Sequence, residues 1–139
     1  MNRTLMLIKP DAVRRRLIGR ILQMVEGAGL EIRGLRMLRL TPDQARRFYS
    51  VHEGRPFLDS LVVSMSSGPV VALVLEADEA IPRLRTLAGA TDPTQAAQGT
   101  IRRAVGLDIE QNSMHASDSP ESALRELAFF ELDLSWSKT

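Results

Sequence analysis

Two uninterrupted apolar runs predict strands in the interior of a sheet. Residues 5–8 read Leu-Met-Leu-Ile and stop at Lys9-Pro10, where the proline holds the preceding lysine in an extended conformation. Residues 70–75 read Val-Val-Ala-Leu-Val-Leu after Gly68-Pro69, which is typical of a strand covered on both faces. We therefore expect two buried strands, with Lys9 at the carboxyl end of the first.

Alternation of apolar and polar residues predicts two more strands. Leu30 and Ile32 alternate with charged residues until the phase shifts at Gly34, which indicates a β-bulge. Near the end of the chain, residues 130–134 alternate in the same way. This second pattern predicts a final strand.

Apolar residues at helical spacing predict the connecting helices. The clearest set lies between residues 13 and 25 and stops at a Gly-Ala-Gly segment. A capping hydroxyl followed by proline marks helix starts at Thr41-Pro42 and Ser119-Pro120. Further helices are predicted after Pro56, over residues 77–87, and over residues 100–104 within a long irregular segment.

The resulting order of elements is β-α-β-α-β-α-β, without an internal repeat or a low-complexity linker. This order predicts an α+β, ferredoxin-like βαββαβ sandwich, in which a four-stranded antiparallel sheet carries helices on its faces. A chain of 139 residues fits one domain, residues 1–139, with one core.

Composition narrows the classes of function. Without cysteine, the chain has no disulfide, no thiolate nucleophile and no Cys-based zinc site. The apolar run near the start is far shorter than the roughly 20 residues of a membrane span, so we expect a cytoplasmic protein without membrane association. The net charge is only +1 and the basic residues are interspersed, which is a weak signal for nucleic-acid binding.

Phosphate binding would need something other than the common glycine loops. Neither Gly-x-x-x-x-Gly-Lys-Ser/Thr nor Gly-x-Gly-x-x-Gly occurs, and the two histidines, His52 and His115, have no His or Cys partners at metal-ligand spacing. His115 precedes the helix that starts at Ser119-Pro120, and the dipole and free N–H groups of that helix end favour an anion nearby. A neutral imidazole oriented by a carboxylate such as Glu126 would be a suitable nucleophile there.

Seven short motifs follow one another along the chain. They are Ile8-Lys9-Pro10-Asp11; Phe48-Tyr49 with His52; Arg55-Pro56-Phe57; Met-Ser-Ser-Gly-Pro-Val-Val at residues 65–71; Arg85 with Gly89, Thr91 and Pro93; Gly99-Thr100-Ile101-Arg102; and Asn112-x-x-His115-x-Ser117-Asp118-Ser119. Each motif alone is a weak signal, but their order and spacing match together. In these motifs the chain resembles the nucleoside diphosphate kinase family, from about Arg3 to Leu134.

The resemblance implies a ping-pong transfer in which His115 takes the γ-phosphoryl group of a nucleoside triphosphate and passes it to a nucleoside diphosphate. It implies that Glu126 and Ser117 orient the histidine and that Tyr49 lies beside the γ-phosphate. The positions that match nucleotide-binding residues of the family are Lys9 and Asn112 (sugar hydroxyl, and for Lys9 also the γ-phosphate), Phe57 (base), and Arg85, Thr91 and Arg102 (distal phosphates). Mg²⁺ is the implied cofactor, held through water by Asp118, and the implied assembly is a homotetramer or homohexamer of broad base specificity.

The sequence departs from the family pattern at a few positions. Ala12 and Ala116 replace glycines, Gln98 replaces a common proline, and Arg103-Ala104 replaces Gly-Asp. Ala116 matters most, because alanine restricts φ and adds a methyl group beside the histidine, although it keeps the backbone N–H.

Two other functions stay open at this stage. RNA-recognition modules share the predicted topology but need exposed aromatic residues on their strands, and an aromatic content of 4% argues against them. A sensor that binds nucleotides without turnover would keep the same motifs, and only an activity assay separates it from an enzyme.

Overall fold

A computed structural model describes residues 2–133, with side chains described from residue 2 to residue 130. Within that part, the strands are β1 (Asn2–Ile8), β2 (Glu31–Leu38), β3 (Val70–Ala77) and β4 (Met114–Ala116). The α-helices are α1 (Pro10–Arg14), α2 (Ile18–Gly27), α3 (Pro42–Phe48), α4 (Leu58–Met65), α5 (Ala80–Ala88), α6 (Ile101–Val105) and α7 (Pro120–Asp133). Short 3₁₀ helices lie at Ser50–His52 and Pro93–Gln95.

The four strands form one antiparallel sheet in the order β2-β3-β1-β4. β1 and β3 pair along the full length of β1, from Asn2 opposite Ala77 to Ile8 opposite Val71. The register of β2 on β3 shifts between Ile32 and Gly34, which confirms the predicted bulge. The ferredoxin-like α+β fold predicted from the order of elements is therefore confirmed.

The pleat of β1 divides the hydrophobic core between the two faces of the sheet. Leu5 and Leu7 pack with α3, α4 and the buried Phe130 of α7 on one face. Met6 and Ile8 pack with α2, α5 and α6 on the other face. All four side chains are fully buried, and each contributes about 1.5–3 kcal/mol relative to an exposed position. Both central strands are covered on both faces, as their uninterrupted apolar runs predict.

Two predicted helices have different bounds in the structure. The helix expected over residues 13–25 is divided into α1 and α2, because the chain turns at Arg16, whose φ is +60°. The helix expected from residue 77 begins later, at Ala80, since β3 continues to Ala77. The side chain of Asn2 accepts a hydrogen bond from the Ala80 N–H at 2.7 Å, which stabilises this helix start.

The predicted strand over residues 130–134 is wrong, because residues 130–133 belong to α7 and Leu134 lies outside the described residues. Buried Ala123 and Phe130 are two helical turns apart, so the apolar residues continue the inward side of α7. The fourth strand is β4, whose three residues are too few for their alternation to identify a strand from sequence. It forms because β1 offers a free edge, where Leu7 pairs with His115.

The other helix starts are confirmed. At Thr41, the side-chain oxygen accepts from the Gln44 N–H at 3.1 Å, and the Gln44 side chain accepts from the Thr41 N–H at 2.9 Å, which is a capping box. Ser119 accepts from the Ser122 N–H at 3.1 Å at the start of α7. Among the described helices, none is long and apolar enough to cross a membrane.

The aromatic residues within the described part lie on helices or beside them. They are Phe48, Tyr49, Phe57, Phe129 and Phe130. RNA-recognition modules need aromatic residues on the strands of the sheet. The part of the chain that the structure describes therefore lacks that signature.

Candidate active site

β4 presents His115 on one face of the sheet. Met114 and Ala116 are buried in the core on the α2 and α5 side, and alternation along the strand turns His115 to the opposite face. The imidazole side chain remains 21% exposed. A strand of three residues is enough to give the ring a defined direction because both flanking side chains are buried.

A carboxylate on α7 fixes one nitrogen of this ring. His115 Nε2 lies 2.8 Å from Glu126 Oε1, and Ser117 Oγ donates to the same oxygen at 2.8 Å. Glu126 and Ser117 are both buried. Since the carboxylate accepts, Nε2 carries the proton in the neutral ring, and the available lone pair belongs to Nδ1.

Two aromatic rings of the α3 end hold the imidazole from its sides. The ring centroids of Phe48 and Tyr49 lie 5.2 Å and 5.7 Å from that of His115, and both contacts are edge-to-face. Burial raises the pKa of the Tyr49 phenol, and the negative charge of Glu126 acts in the same direction. Tyr49 is therefore a neutral hydrogen-bonding group at any physiological pH.

Lys9 directly follows β1, and its side chain points toward the segment before β4. Its ammonium donates to the Glu110 carbonyl at 2.5 Å and to Asn112 Oδ1 at 3.2 Å, while the Asn112 amide donates to the Thr91 carbonyl at 3.1 Å. Burial lowers the pKa of Lys9; Asp11 opposes this shift, whereas the positive charge of Arg102 adds to it. Lys9 is thus a poorly solvated cation that an incoming anion would stabilise.

Two arginines from different helices meet at the backbone on either side of the histidine. Arg102 of α6 donates to the Met114 carbonyl at 3.0 Å and to the Gly89 carbonyl at 2.9 Å. Arg85 of α5 reaches the Ala116 carbonyl at 3.4 Å. Burial, together with the charge of Arg85, lowers the pKa of Arg102 to about 10, which leaves it charged at neutral pH.

These groups surround a cavity of about 700 Å³. The site residues predicted from sequence that line it are Lys9, Tyr49, Phe57, Arg85, Thr91, Arg102, Asn112, His115, Asp118 and Glu126. Ser117 is the predicted site residue outside the wall, and it lies behind the ring, bonded to Glu126. Cations from three separate parts of the chain therefore converge on one histidine.

The other end of the cavity is apolar and open. Phe57 precedes α4 and is 48% exposed, and Val51 and Ile109 are exposed by 63% and 62%. His52 lies between the phosphate-side Tyr49, on which it stacks at 6.1 Å, and Phe57, which it meets edge-on at 5.1 Å. This end offers flat apolar surface with few directional polar groups.

Several residues of the cavity wall were not predicted as site residues; most of them lie outside the seven motifs, whereas Phe48 belongs to one. Asp108, Ile109 and Glu110 precede β4, and Phe48, Ser122 and Arg125 lie beside predicted residues. Asp108 Oδ1 accepts from the backbone N–H groups of Glu110 and Gln111 at 2.9 Å and 2.7 Å, which shapes the segment. In the sequence, the one signal for this part of the wall was an apolar residue, Ile109, within a polar and irregular segment.

Asp118 is an exposed carboxylate at the edge of the cavity, just before α7. Hydrogen bonding from Ser122 lowers its pKa, and the charge of Arg85 acts in the same direction. Asp118 is therefore ionised at neutral pH. No cluster of three or more potential metal ligands occurs among the described residues, so a cation here would need further ligands from a bound molecule.

The fold and the cavity together define an α+β protein with a cation-lined cavity beside an oriented histidine, an arrangement suited to phosphate groups. The family model "Nucleoside diphosphate kinase" matches residues 2–133. A curated nucleoside diphosphate kinase from Nitratidesulfovibrio vulgaris is 51% identical over 130 residues, covering 94% of each chain. One from Staphylothermus marinus is 55% identical over 126 residues, covering 91% of this chain and 89% of the relative.

Solved structures agree with these sequence matches. The nucleoside diphosphate kinase of Aquifex aeolicus superposes with a TM-score of 0.92 at 46% identity, covering 98% of this chain and 99% of that one. The enzyme of Halobacterium salinarum, solved in complex with CDP, gives 0.91 at 40% identity, covering 99% and 92%. The chain belongs to the nucleoside diphosphate kinase family, and it is a transferase that phosphorylates nucleoside diphosphates.

Proposed function

We propose that the enzyme transfers its phosphate in two half-reactions through a phosphohistidine at Nδ1 of His115. The observation that carries this proposal is the contact of 2.8 Å between Nε2 and Glu126, which leaves the Nδ1 lone pair available in a cation-lined cavity. Lys9, Arg85 and Arg102 hold the phosphates, and Tyr49 lies beside the ring.

Each half-reaction exchanges one bond to phosphorus for another. The Nδ1 lone pair attacks the γ-phosphorus of a nucleoside triphosphate, and the bond to the bridging β-phosphate oxygen breaks, so that the nucleoside diphosphate leaves with that electron pair. In return, a terminal oxygen of a second nucleoside diphosphate attacks the phosphohistidine, and the N–P electrons return to Nδ1. Glu126 keeps the proton of Nε2 in place throughout, supported by Ser117.

Phosphoryl transfer mainly requires that the nucleotide is positioned and that charge on the transferring oxygens is stabilised. Lys9, Arg85 and Arg102 can do both. A triphosphate carries about four negative charges. A charge pair about 4 Å apart is worth on the order of 4 kcal/mol at an effective dielectric of 20, before desolvation is subtracted. Three converging cations are therefore a substantial contribution, and Asn112 and Thr91 supply neutral contacts at the same end of the cavity.

Mg²⁺ is the cofactor that this arrangement suits. Such an ion is commonly held by one or two carboxylates together with substrate phosphates, and it offsets two of the charges of the triphosphate. Asp118 is an ionised carboxylate on the cavity wall and would contribute through a bound water. We therefore infer a requirement for Mg²⁺ that comes with the nucleotide.

The open apolar end fits a base that is held by stacking. Phe57 offers an exposed ring, and stacking on an aromatic face contributes roughly 1–3 kcal/mol for any base. The related enzyme from Halobacterium salinarum was solved with CDP, a pyrimidine nucleotide. We infer broad base specificity for this chain. A homotetramer or homohexamer, a cytoplasmic location and a single domain over residues 1–139 stay predictions.

A phosphoenzyme assay tests the mechanism. Brief mixing with γ-labelled ATP and Mg²⁺ should give protein label that is acid-labile and base-stable, and that a nucleoside diphosphate removes. His115→Gln should abolish this label in a folded protein, whereas the control His52→Gln should retain it. Label that survives His115→Gln would assign the transfer to another residue.

A further inference from the structure

A side-chain contact outside the proposed chemistry joins two walls of the cavity. Ser60 lies on α4, and Glu110 lies in the segment between α6 and β4. The Ser60 hydroxyl lies 2.6 Å from Glu110 Oε1 and 2.9 Å from Oε2. This contact, called here the Ser60–Glu110 bridge, connects segments that are fifty residues apart in sequence.

Each end of the bridge lies beside an apolar residue of the open end of the cavity. Phe57 precedes Ser60 by three residues, at the start of α4, so the two residues lie within one helical turn. Ile109 immediately precedes Glu110, and both line the cavity. The bridge therefore ties the wall that carries Phe57 to the wall that carries Ile109.

The segment that carries Glu110 is itself firmly held. The Glu110 N–H donates to Asp108 Oδ1 at 2.9 Å, and the Glu110 carbonyl accepts from the Lys9 ammonium at 2.5 Å. The Ile109 carbonyl accepts from the Asn112 amide at 2.8 Å. With the backbone so fixed, the Ser60–Glu110 bridge is a direct side-chain link between this segment and α4, the helix that follows Phe57.

We propose that Ser60 and Glu110 are positioning residues that set the width of the base-binding slot and thereby its preference between purines and pyrimidines. The proposal rests on the function proposed above, since it places the nucleotide base at the open end of the cavity. The Ser60 hydroxyl contacts Glu110 and not Lys9 or His115, so removing it acts on the substrate through Phe57 and Ile109. Glu110 also acts through its charge on Lys9, so the Ser60 variants isolate the effect of the bridge.

Slot width should matter more to a larger base. Without the bridge, α4 and the segment before β4 lose a contact across the mouth of the cavity, and the slot can widen. A base that fills the slot then loses contact on one of its faces, and a two-ring purine loses more contact area than a one-ring pyrimidine. Removing the bridge should therefore weaken purine binding selectively and leave the chemical step unchanged.

The second half-reaction measures this preference for each base separately. Phosphoenzyme prepared with labelled ATP and freed of nucleotide is mixed with ADP, GDP, CDP or UDP, and the loss of protein label is followed. For Ser60→Ala and Glu110→Ala, we expect the half-saturating concentration to rise roughly three- to ten-fold for the purines and less than about two-fold for the pyrimidines. The limiting rate should stay at the wild-type value in Ser60→Ala, which leaves the charge of Glu110 beside Lys9 in place.

Conservative variants and matched controls distinguish the bridge from a general structural role. Ser60→Thr keeps a hydroxyl and Glu110→Gln keeps an acceptor, so both should restore most of the purine preference. Ser64→Ala removes a hydroxyl from the same helix, and Glu26→Gln removes an exposed charge on α2; neither should change the preference. Thermal melting establishes that each variant is folded.

Several outcomes would overturn the proposal: an equal rise for all four bases, an unchanged half-saturating concentration, or a lowered limiting rate in Ser60→Ala. Failure of the wild-type protein to form labelled phosphoenzyme would instead contradict the function proposed above. In that case, calorimetric titration with ADP and CDP makes the same comparison without turnover. Equal weakening of both nucleotides in Ser60→Ala would then reject the bridge as a determinant of preference.

Discussion

The two ends of the cavity are built in opposite ways. At the phosphate end, Lys9, Arg102, Asn112 and Glu126 are buried, and hydrogen bonds to backbone or side-chain partners fix each of them. At the base end, Phe57, Val51 and Ile109 are exposed by 48%, 63% and 62%.

This difference follows from what each end must recognise. Transferring a phosphoryl group needs charges in fixed positions, because donors that do not reorganise during the reaction stabilise the transition state most. A base held by its flat face needs surface rather than directed polar groups, and every base has such a face. The side chains near the reacting phosphate are therefore held in fixed positions. The end that faces the base, where substrates differ, accepts different bases.

The strongest test of this contrast replaces a fixed cation. Arg102→Lys keeps the charge but cannot donate to the Gly89 and Met114 carbonyls while also reaching a phosphate. We expect kcat/KM to fall by roughly 10²–10³-fold for all nucleotides alike. The neighbouring exposed Arg103→Lys is the matched control and should stay near the wild-type value. A fall that depends on the base would contradict the division of the cavity into two ends.

A second test removes the aromatic ring of Phe57 from the base end of the cavity. Phe57→Ala should raise the KM of all nucleoside diphosphates by roughly ten-fold, with kcat little changed, since stacking contributes roughly 1–3 kcal/mol. Val63→Ala, which truncates another exposed apolar side chain on α4, should leave KM unchanged. Steady-state kinetics with a purine and a pyrimidine acceptor give the measurement. Loss of kcat without a change in KM would place Phe57 at the reacting end.

A smaller effect is expected from the buried carboxylate beside Lys9. Asp11 is 1% exposed; burial raises its pKa, and its Oδ2 accepts from the Ser113 N–H at 3.1 Å. Lys9 also faces Arg102, Glu110 and Asp108, and burial lowers its pKa, while Asp11 is the strongest of the charges that oppose this lowering. Asn at position 11 can still accept from Ser113 but removes the opposing charge.

In Asp11→Asn, the pKa of Lys9 should therefore fall further. Lys9 binds phosphate as a cation, which is present below its pKa and lost as the pH rises through it. A lowered pKa makes this loss begin at a lower pH, so the alkaline limb of the kcat/KM profile should shift downward while the acid limb stays in place. Asp43→Asn, which removes an exposed carboxylate on α3, is the control. An alkaline limb at the wild-type position would show that Asp11 does not act on Lys9.

Much of this molecule could be predicted from the sequence because its signals are local. Uninterrupted apolar runs identified β1 and β3, and the shift of phase at Gly34 identified the bulge in β2. The seven motifs contain Lys9, Arg102 and Asn112 of the phosphate end, and Glu126 was predicted as the carboxylate that orients His115. The cavity wall brings together ten of the predicted residues, although their roles stay predictions until they are assayed.

The errors arose where contacts between distant segments determine the local structure. β4 has three residues, and its pairing with β1 is a contact between segments more than one hundred residues apart. The apolar pattern of residues 130–133 is too short to distinguish a strand from the end of a helix. Packing of Phe130 in the core favours the helix. The segment around Ile109 was missed because its shape depends on the hydrogen bonds of Asp108, Lys9 and Asn112.

The smallest expected effect concerns Ala116 at the phosphate end, where the family resemblance led us to expect glycine. Ala116 lies in β4 opposite Met6, its φ is not positive, and its side chain is buried against the core. The backbone at this position therefore suits alanine, and the methyl group packs away from the face that carries the histidine. Ala116→Gly should lower the free energy of unfolding by about 0.5–1 kcal/mol, measured by denaturant titration, and change kcat by less than about two-fold. A large gain in kcat would show that the methyl group hinders the ring of His115. The hydrogen bonds of the phosphate end would then not be enough to give the highest rate.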